Sequence, residues 1–158
     1  MPETGRKPRI ALGSDHAGFH IKETIRQFLE NSGYPVDDLG TWSEESVDYP
    51  DYGKAVGESV ADRKDDYGIA LCGTGIGMSI AANKVPRIRA AVAHDVTTAR
   101  LAREHNDANV LAMGGRVVNG IQAIEMVQAF LNTPFLGGRH ARRVEKIALI
   151  ETEERGRN

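Results

Sequence analysis

The sequence predicts an α/β fold built on one doubly wound parallel sheet. Five short apolar runs alternate along the chain with longer stretches in which apolar residues recur at helical spacing. The first run and the last three contain almost only apolar or small residues, which is typical of strands covered on both faces. Strands that alternate with helices need crossover connections, and these favour parallel pairing in one sheet.

The five predicted strands coincide with the apolar runs. They lie at 9–13, 34–40, 67–73, 88–93 and 109–115. Six helices are predicted where apolar residues recur three and four positions apart. These helices are placed around 21–29, 55–60, 77–84, 96–105, 121–131 and in the segment that starts near Arg139. Gly33 is suited to end the first helix, and Asp95 is suited to cap the fourth.

Length and composition indicate a single domain. The chain has 158 residues, and we expect a core over about 9–151 with frayed polar ends at 1–7 and 152–158. A net charge of −2 argues against a general nucleic-acid or membrane surface. The single cysteine cannot form an internal disulfide, and no apolar run reaches membrane-spanning length. We therefore expect a cytoplasmic protein.

Three segments lie where a parallel sheet binds its ligands. Such sites form at the carboxyl ends of strands, near the point where the strand order reverses. Ser14–His16 follows the first predicted strand, Cys72–Gly77 the third, and Gly114–Arg116 the fifth. These segments are the first candidates for a functional site.

The glycines of CGTGIGMS, residues 72–79, match none of three familiar phosphate-binding patterns. In the dinucleotide pattern G-x-G-x-x-G, the third glycine would fall on Met78 or Ile80. A P-loop needs a Gly-Lys-Ser/Thr triplet, which does not follow here. A cysteine phosphatase loop needs an arginine six residues after its cysteine, where this chain has Met78. All three patterns are therefore excluded.

Cys72 has two alternative roles. Glycines let backbone N–H groups approach a ligand closely, and the N-terminus of a following helix favours negative charge, so the loop would support a thiolate that acts as a base or nucleophile. Alternatively, Cys72 is a small apolar residue buried at a strand end, as most free cysteines are.

Histidine and arginine residues supply further candidates. Asp15 and His16 either contribute to a site or cap the following helix, and His105 either acts chemically or complements a helix dipole. Arg139 and Arg143 are four residues apart, so they share one helix face, which suits a phosphate. Otherwise they form a solvated basic face. No spacing of His, Cys, Asp and Glu is typical of a metal site.

Five segments resemble the motifs of one enzyme family. They are GSDHAGFHIK, GTWSEESVDYPDYG, CGTGIGMSIAANK, REHNDANVLAMGGRV and GGRHARRVEKI, in this order over about residues 9–151. Together they resemble the B-type ribose-5-phosphate isomerases, whose family includes allose- and galactose-6-phosphate isomerases. The resemblance implies a Rossmann-like three-layer α/β/α sandwich with a five-stranded parallel sheet. It also implies no metal or organic cofactor, and a homodimer or dimer of dimers whose sites are shared between subunits.

The resemblance implies a role for each matching residue. Cys72 is similar to the catalytic base and Thr74 to its partner on the oxyanion side, while His105 matches a ring-opening histidine contributed by the neighbouring subunit. Substrate-binding positions match Asp15, His16, Gly73, Gly75, Ile76, Gly77, Asn106, Arg116, Arg139, His140 and Arg143. Some relatives use a glutamate six positions after the cysteine instead. Here that position is Met78, which leaves Cys72 as the base.

These roles predict the interconversion of ribose 5-phosphate and ribulose 5-phosphate through a cis-enediolate, in the non-oxidative branch of the pentose phosphate pathway. One alternative is an isomerase of a six-carbon aldose 6-phosphate, of the allose type. Another is a non-catalytic module that binds a sugar phosphate or a nucleotide. The combination of Cys72, Thr74 and His105 argues against such a module, because binding alone needs no base.

Overall fold

The computed structural model describes residues 5–157, which form a five-stranded parallel sheet between two layers of helices. The strands are β1 (Ile10–Ser14), β2 (Val36–Asp38), β3 (Tyr67–Cys72), β4 (Ala90–Val92) and β5 (Val110–Gly114). The helices are α1 (Phe19–Asn31), α2 (Tyr49–Ala61), α3 (Ile76–Asn83), α4 (Val96–Asn106), α5 (Gly120–Asn132) and α6 (Arg139–Arg155). A short 3₁₀ helix at His16–Gly18 precedes α1. The predicted α/β/α sandwich is confirmed.

The strand order places a crevice between β1 and β3. Across the sheet the order is β2-β1-β3-β5-β4, and every neighbouring pair is parallel. The chain passes from β1 to β2 in one direction and to β3 in the other, so the order reverses between β1 and β3. Ser14 pairs with Leu71 at the carboxyl end of this pair. A ligand site is expected there.

Two apolar cores cover the two faces of the sheet. Because side chains alternate along a strand, Leu71 packs in the core that includes residues of α1, α4 and α5. Its neighbour Cys72 packs in the other core, together with Val56 of α2 and Met78 of α3. The cysteine therefore faces the layer that holds the N-terminus of α3.

The element boundaries follow local chemistry. Gly33 has the left-handed φ of 85° that ends a helix, and Asp95 caps α4 through the Thr98 N–H at 2.7 Å, both as predicted. β2 and β4 have three residues each, fewer than predicted, and both lie at sheet edges where pairing comes from one side only. α2 begins at Tyr49, several residues before its apolar spacing, because Pro50 is suited to a first helical turn.

The fraying expected at the two chain ends stays a prediction. α6 continues to Arg155, into the segment that was expected to fray. Residues 1–4 and 158 of the predicted tails lie outside the described residues. Within residues 5–157, no helix has both the length and the apolar composition that crossing a membrane requires.

Asp65, at the amino end of β3, is a buried carboxyl group. Its side chain is 3% exposed, Ser59 Oγ donates to its Oδ2 at 2.5 Å, and Arg9 Nε lies 3.9 Å from its Oδ1. Burial raises the pKa of Asp65 from 3.8 to about 6; the hydrogen bond from Ser59 opposes this shift, and the adjacent carboxyl of Asp37 adds to it. Folding is therefore linked to retention of a proton on Asp65.

Asp65→Asn is expected to raise the free energy of unfolding near pH 7.5 by about 1–3 kcal/mol. Since the folded-state pKa is the higher one, the stabilising contribution of the protonated carboxyl is complete below 3.8 and is lost as pH rises through about 6. The neutral amide avoids that loss. Urea unfolding at several pH values measures the difference, with wild type and variant close together near pH 4. An equal difference at both pH values would contradict the linkage.

Candidate active site

Cys72 ends β3 with its thiol directed at a backbone amide. The residue is 4% exposed, and the N–H of Gly75 lies 3.2 Å from Sγ. Gly75 has a φ of 85°, and a Cβ at this position would lie 2.8 Å from the carbonyl carbon of Met113. Only glycine fits this turn, which brings the amide to the sulfur. An N–H directed at sulfur is complementary to a thiolate.

The loop after Cys72 carries backbone N–H groups that are available to a ligand. Thr74 Oγ1 accepts the N–H of Ile76 at 3.3 Å, which fixes the start of α3. Among residues 5–157, the N–H groups of Gly73, Thr74 and Gly77 have no protein acceptor. They lie at the N-terminal end of a helix, where negative charge is favoured. The loop can therefore stabilise an oxyanion next to the thiol.

The carboxyl end of β1 adds a carboxylate and an imidazole. Asp15 is 6% exposed, and its Oδ1 accepts the N–H groups of Ala17 and Gly18 at 3.0 and 3.1 Å. This is the capping role weighed from the sequence, and it orients the carboxylate while leaving Oδ2 for a ligand. The half-buried His16 accepts the N–H of Val47 at its Nδ1 at 3.1 Å.

The segment after β5 adds further groups at the carboxyl ends of the strands. A Cβ on Gly73 would lie 3.2 Å from Nη1 of Arg116, so this guanidinium is a direct neighbour of the cysteine loop. A Cβ on Gly115 would lie 2.5 Å from the carbonyl oxygen of Ala17, which shows how closely this segment packs on the β1 turn. The three segments predicted at strand ends therefore meet, bringing Asp15, Cys72 and Arg116 to one place.

A second cluster forms at the amino ends of the strands, on the other side of the sheet from the carboxyl ends where Cys72 lies. α4 runs back from the carboxyl end of β4 and ends at Asn106, shortly before the amino end of β5. The ring of His105 stacks on that of His140, with centroids 4.3 Å apart and planes at 9°. Arg139 and Arg143 lie exposed on the first turns of α6 beside this pair.

Burial and nearby positive charges favour the neutral form of His140. Its side chain is 8% exposed. Burial lowers the pKa of His140, and the positive charges of His105, Arg139 and Arg143 lower it further. At neutral pH the arginines therefore supply the fixed positive charge, and His140 supplies a hydrogen-bonding ring.

One chain does not bring the two clusters together. β5 spans five residues, and at about 3.3 Å per residue its ends are roughly 13 Å apart. Cys72 lies beside its carboxyl end and His105 near its amino end. The basic substrate-binding positions that the resemblance implies are divided in the same way, because Arg116 lies with Cys72 while Arg139, His140 and Arg143 lie with His105.

Comparison with known proteins identifies the family of this chain. The profile described as Ribose/Galactose Isomerase matches residues 10–147. The chain belongs to the ribose/galactose isomerase family. The resemblance predicted from the five motifs is thereby confirmed.

Two relatives within the family carry the ribose-5-phosphate isomerase B name. The protein from Escherichia coli is 50% identical over 143 residues, which cover 90% of this chain and 96% of that protein. The structure from Clostridium thermocellum is 54% identical, with a TM-score of 0.90 and coverage of 92% and 98% of the two chains. A third relative is the D-erythrulose-4-phosphate isomerase of Pectobacterium atrosepticum, 43% identical over 147 residues, or 92% and 97% of the two chains.

Tyr49 is a further candidate for the site that the sequence analysis does not single out. A Cβ on Gly77 would lie 2.6 Å from ring carbons of Tyr49 and 2.9 Å from its hydroxyl oxygen. The tyrosine therefore stands over the first turn of α3, beside the unused backbone donors. Its position within the matched segment GTWSEESVDYPDYG was the available signal.

The functional groups of the site are suited to acid–base chemistry and hydrogen bonding. Within the described range 5–157, no group of three or more His, Cys, Asp or Glu side chains is placed to hold a metal ion. The groups present are a thiol, imidazoles, guanidinium groups and backbone amides. They suit proton transfer and the binding of an anion.

Proposed function

We propose that this protein interconverts ribose 5-phosphate and ribulose 5-phosphate by proton transfer at Cys72. The observation that carries the proposal is the buried thiol beside the unused N–H groups of Gly73, Thr74 and Gly77. A base next to oxyanion donors is what an enediolate mechanism requires. The relatives named for ribose 5-phosphate, at 50% and 54% identity, support the five-carbon substrate.

The proton transfers balance as follows. The Cys72 thiolate removes the proton from C2 of the open-chain aldose, the C–H electron pair forms a C1–C2 double bond, and O1 becomes an oxyanion. The backbone N–H groups of Gly73, Thr74 and Gly77 and the N-terminal end of α3 stabilise this negative charge. After the hydroxyl proton moves from O2 to O1, the thiol returns its proton to C1 and the carbonyl forms at C2. Thr74 and Tyr49 adjoin the oxygens that carry the charge.

A partner subunit supplies the remaining groups in this proposal. The substrate arrives mostly as a ring, and His105 of a second copy acts as the acid–base group that opens it. Arg139 and Arg143 of that copy hold the phosphate. The separation of the two clusters within one chain supports this arrangement. So do Ile76 and Ile80, 52% and 57% exposed, which form an apolar stripe on α3 next to the cysteine loop.

We place the active form as a homodimer or dimer of dimers in the cytoplasm, acting in the non-oxidative pentose phosphate pathway. Its substrate choice is tested by kcat/KM for ribose 5-phosphate, allose 6-phosphate and erythrose 4-phosphate under the same conditions. Ribose 5-phosphate should give the highest value. A higher value for the four-carbon sugar would align the protein with its Pectobacterium relative, and a higher value for allose 6-phosphate with the six-carbon alternative.

Arg139→Ala and Arg143→Ala are each expected to raise KM for ribose 5-phosphate with little change in kcat. Phosphate contacts act in the ground state and transition state alike, and losing one charge-assisted contact costs about 1.5–3 kcal/mol, or roughly 10- to 150-fold. Arg155→Ala removes the same charge from the far end of α6 and serves as the matched control. Unchanged KM in both test variants would favour the solvated basic face.

A further inference from the structure

The segment between β2 and α2 folds back over the carboxyl end of β1. This segment, residues 39–48, has no regular secondary structure and is called the 39–48 loop. At its start, the fully buried Lys22 Nζ contacts both carboxylate oxygens of Asp38, at 2.7 and 2.8 Å. Asp38 in turn accepts the N–H of Gly40 at 3.0 Å, and the carbonyl of Gly40 accepts the N–H of Ser14 at 2.6 Å. The loop is thereby fixed to the residue before Asp15.

The far end of the 39–48 loop is attached to His16. The N–H of Val47 donates to His16 Nδ1 at 3.1 Å, and His20 Nε2 contacts Glu44 on the outer side of the loop. A backbone N–H can only donate, so Nδ1 must carry a lone pair. The proton of the neutral ring therefore lies on Nε2, which becomes its only N–H donor.

We propose that the N–H of Val47 is a positioning group for His16: it selects the Nε2–H form of the ring, so that His16 offers a hydrogen-bond donor to an oxygen of the sugar phosphate. This inference rests on the proposed function for the identity of the ligand. A ring with its proton on Nδ1 would oppose two donors at Val47 and turn a lone pair toward an oxygen-rich substrate. The contact at Val47 would be repulsive, and so would a lone pair at Nε2 that faces an ionised phosphate oxygen, which can only accept. The backbone amide thus favours substrate binding without touching the substrate.

The direct test is ¹⁵N NMR of the histidine rings in the free wild-type protein, at a pH where His16 is neutral. The unprotonated nitrogen is identified by its downfield shift, and we expect it to be Nδ1 of His16. In Val47→Pro, which lacks the amide hydrogen, the signals should move toward a mixture of the two tautomers. Val47→Ala keeps the N–H and should retain the wild-type pattern. An Nδ1–H ring in the wild type, or an unchanged tautomer in Val47→Pro, would overturn the inference.

Substitutions of His16 separate positioning from a merely structural contact and do not depend on the folding of the proline variant. Glutamine places an amide N–H donor near the position of Nε2, whereas asparagine keeps an acceptor near Nδ1 but has no donor at Nε2. His16→Gln should therefore exceed His16→Asn in kcat/KM by about 2- to 10-fold, the value of one hydrogen bond. The reverse order would overturn the inference. Lack of isomerase activity in the wild type would instead overturn the proposed function, because the tautomer is measured without substrate.

Discussion

Cys72→Ala is expected to lower kcat for ribose 5-phosphate by about 10²–10⁴-fold, the usual contribution of a general base. Substrate binding should persist, because the arginines remain in place. Cys72→Ser should be nearly as inactive, since a hydroxyl ionises far less readily than a thiol and Met78 offers no carboxylate in its place. Steady-state kinetics, together with calorimetric titration of the sugar phosphate, measure the two effects separately.

Exchange of the C2 proton with solvent deuterium decides whether Cys72 is the base. The alanine variant should lose this exchange together with turnover. Iodoacetamide should inactivate the wild type by alkylating the thiol, and bound sugar phosphate should protect it. Exchange at the wild-type rate in Cys72→Ala would assign the base to another residue and return Cys72 to the role of a packed strand-end thiol.

Mixing two inactive variants is expected to restore activity if the site is shared between subunits. A dimer of one Cys72→Ala chain and one His105→Ala chain contains one site with both defects and one site with neither. Random exchange at equal amounts makes half of the dimers mixed, so about a quarter of all sites should be active in a symmetric dimer. Activity is measured after subunit exchange, with mixed dimers verified by two affinity tags.

The matched control for this experiment mixes Cys72→Ala with the double variant carrying both substitutions. No arrangement of these chains contains an intact cysteine, so the mixture should stay inactive. If verified mixed dimers of the two single variants also stay inactive, His105 does not serve a neighbouring site. The separation of the clusters in one chain would then need a different explanation.

The parallel sheet, and the group of residues around Cys72 at the carboxyl ends of its strands, were predictable because the sequence patterns that indicate them are local. Continuous apolar strands alternating with amphipathic helices specify a parallel sheet, and parallel strands end at one edge. Residues directly after strands, such as Asp15, Cys72 and Arg116, could therefore be assigned to that edge from their order in the chain. Strand direction places them at the same end of the sheet, and the neighbouring positions of β1, β3 and β5 bring them together.

Tyr49 and Val47 were not predictable in the same way. Both lie outside the predicted elements, in a stretch whose path depends on how the chain returns over β1. Tyr49 adjoins Gly77 because α2 packs against α3, and Val47 meets His16 across thirty-one positions of sequence. Neither contact has a periodic signal, since each is set by packing between elements.

The sequence by itself determined the parallel α/β fold and the family, because strand and helix periodicity and the five motifs lie in short segments of the chain. The tertiary structure alone decided that His105, His140 and the α6 arginines lie near the amino ends of the strands, whereas Cys72 lies at the carboxyl ends. The physical reason is direction: α4 runs antiparallel to the strands, so its last residues are carried a full strand length away from the edge where the thiol stands.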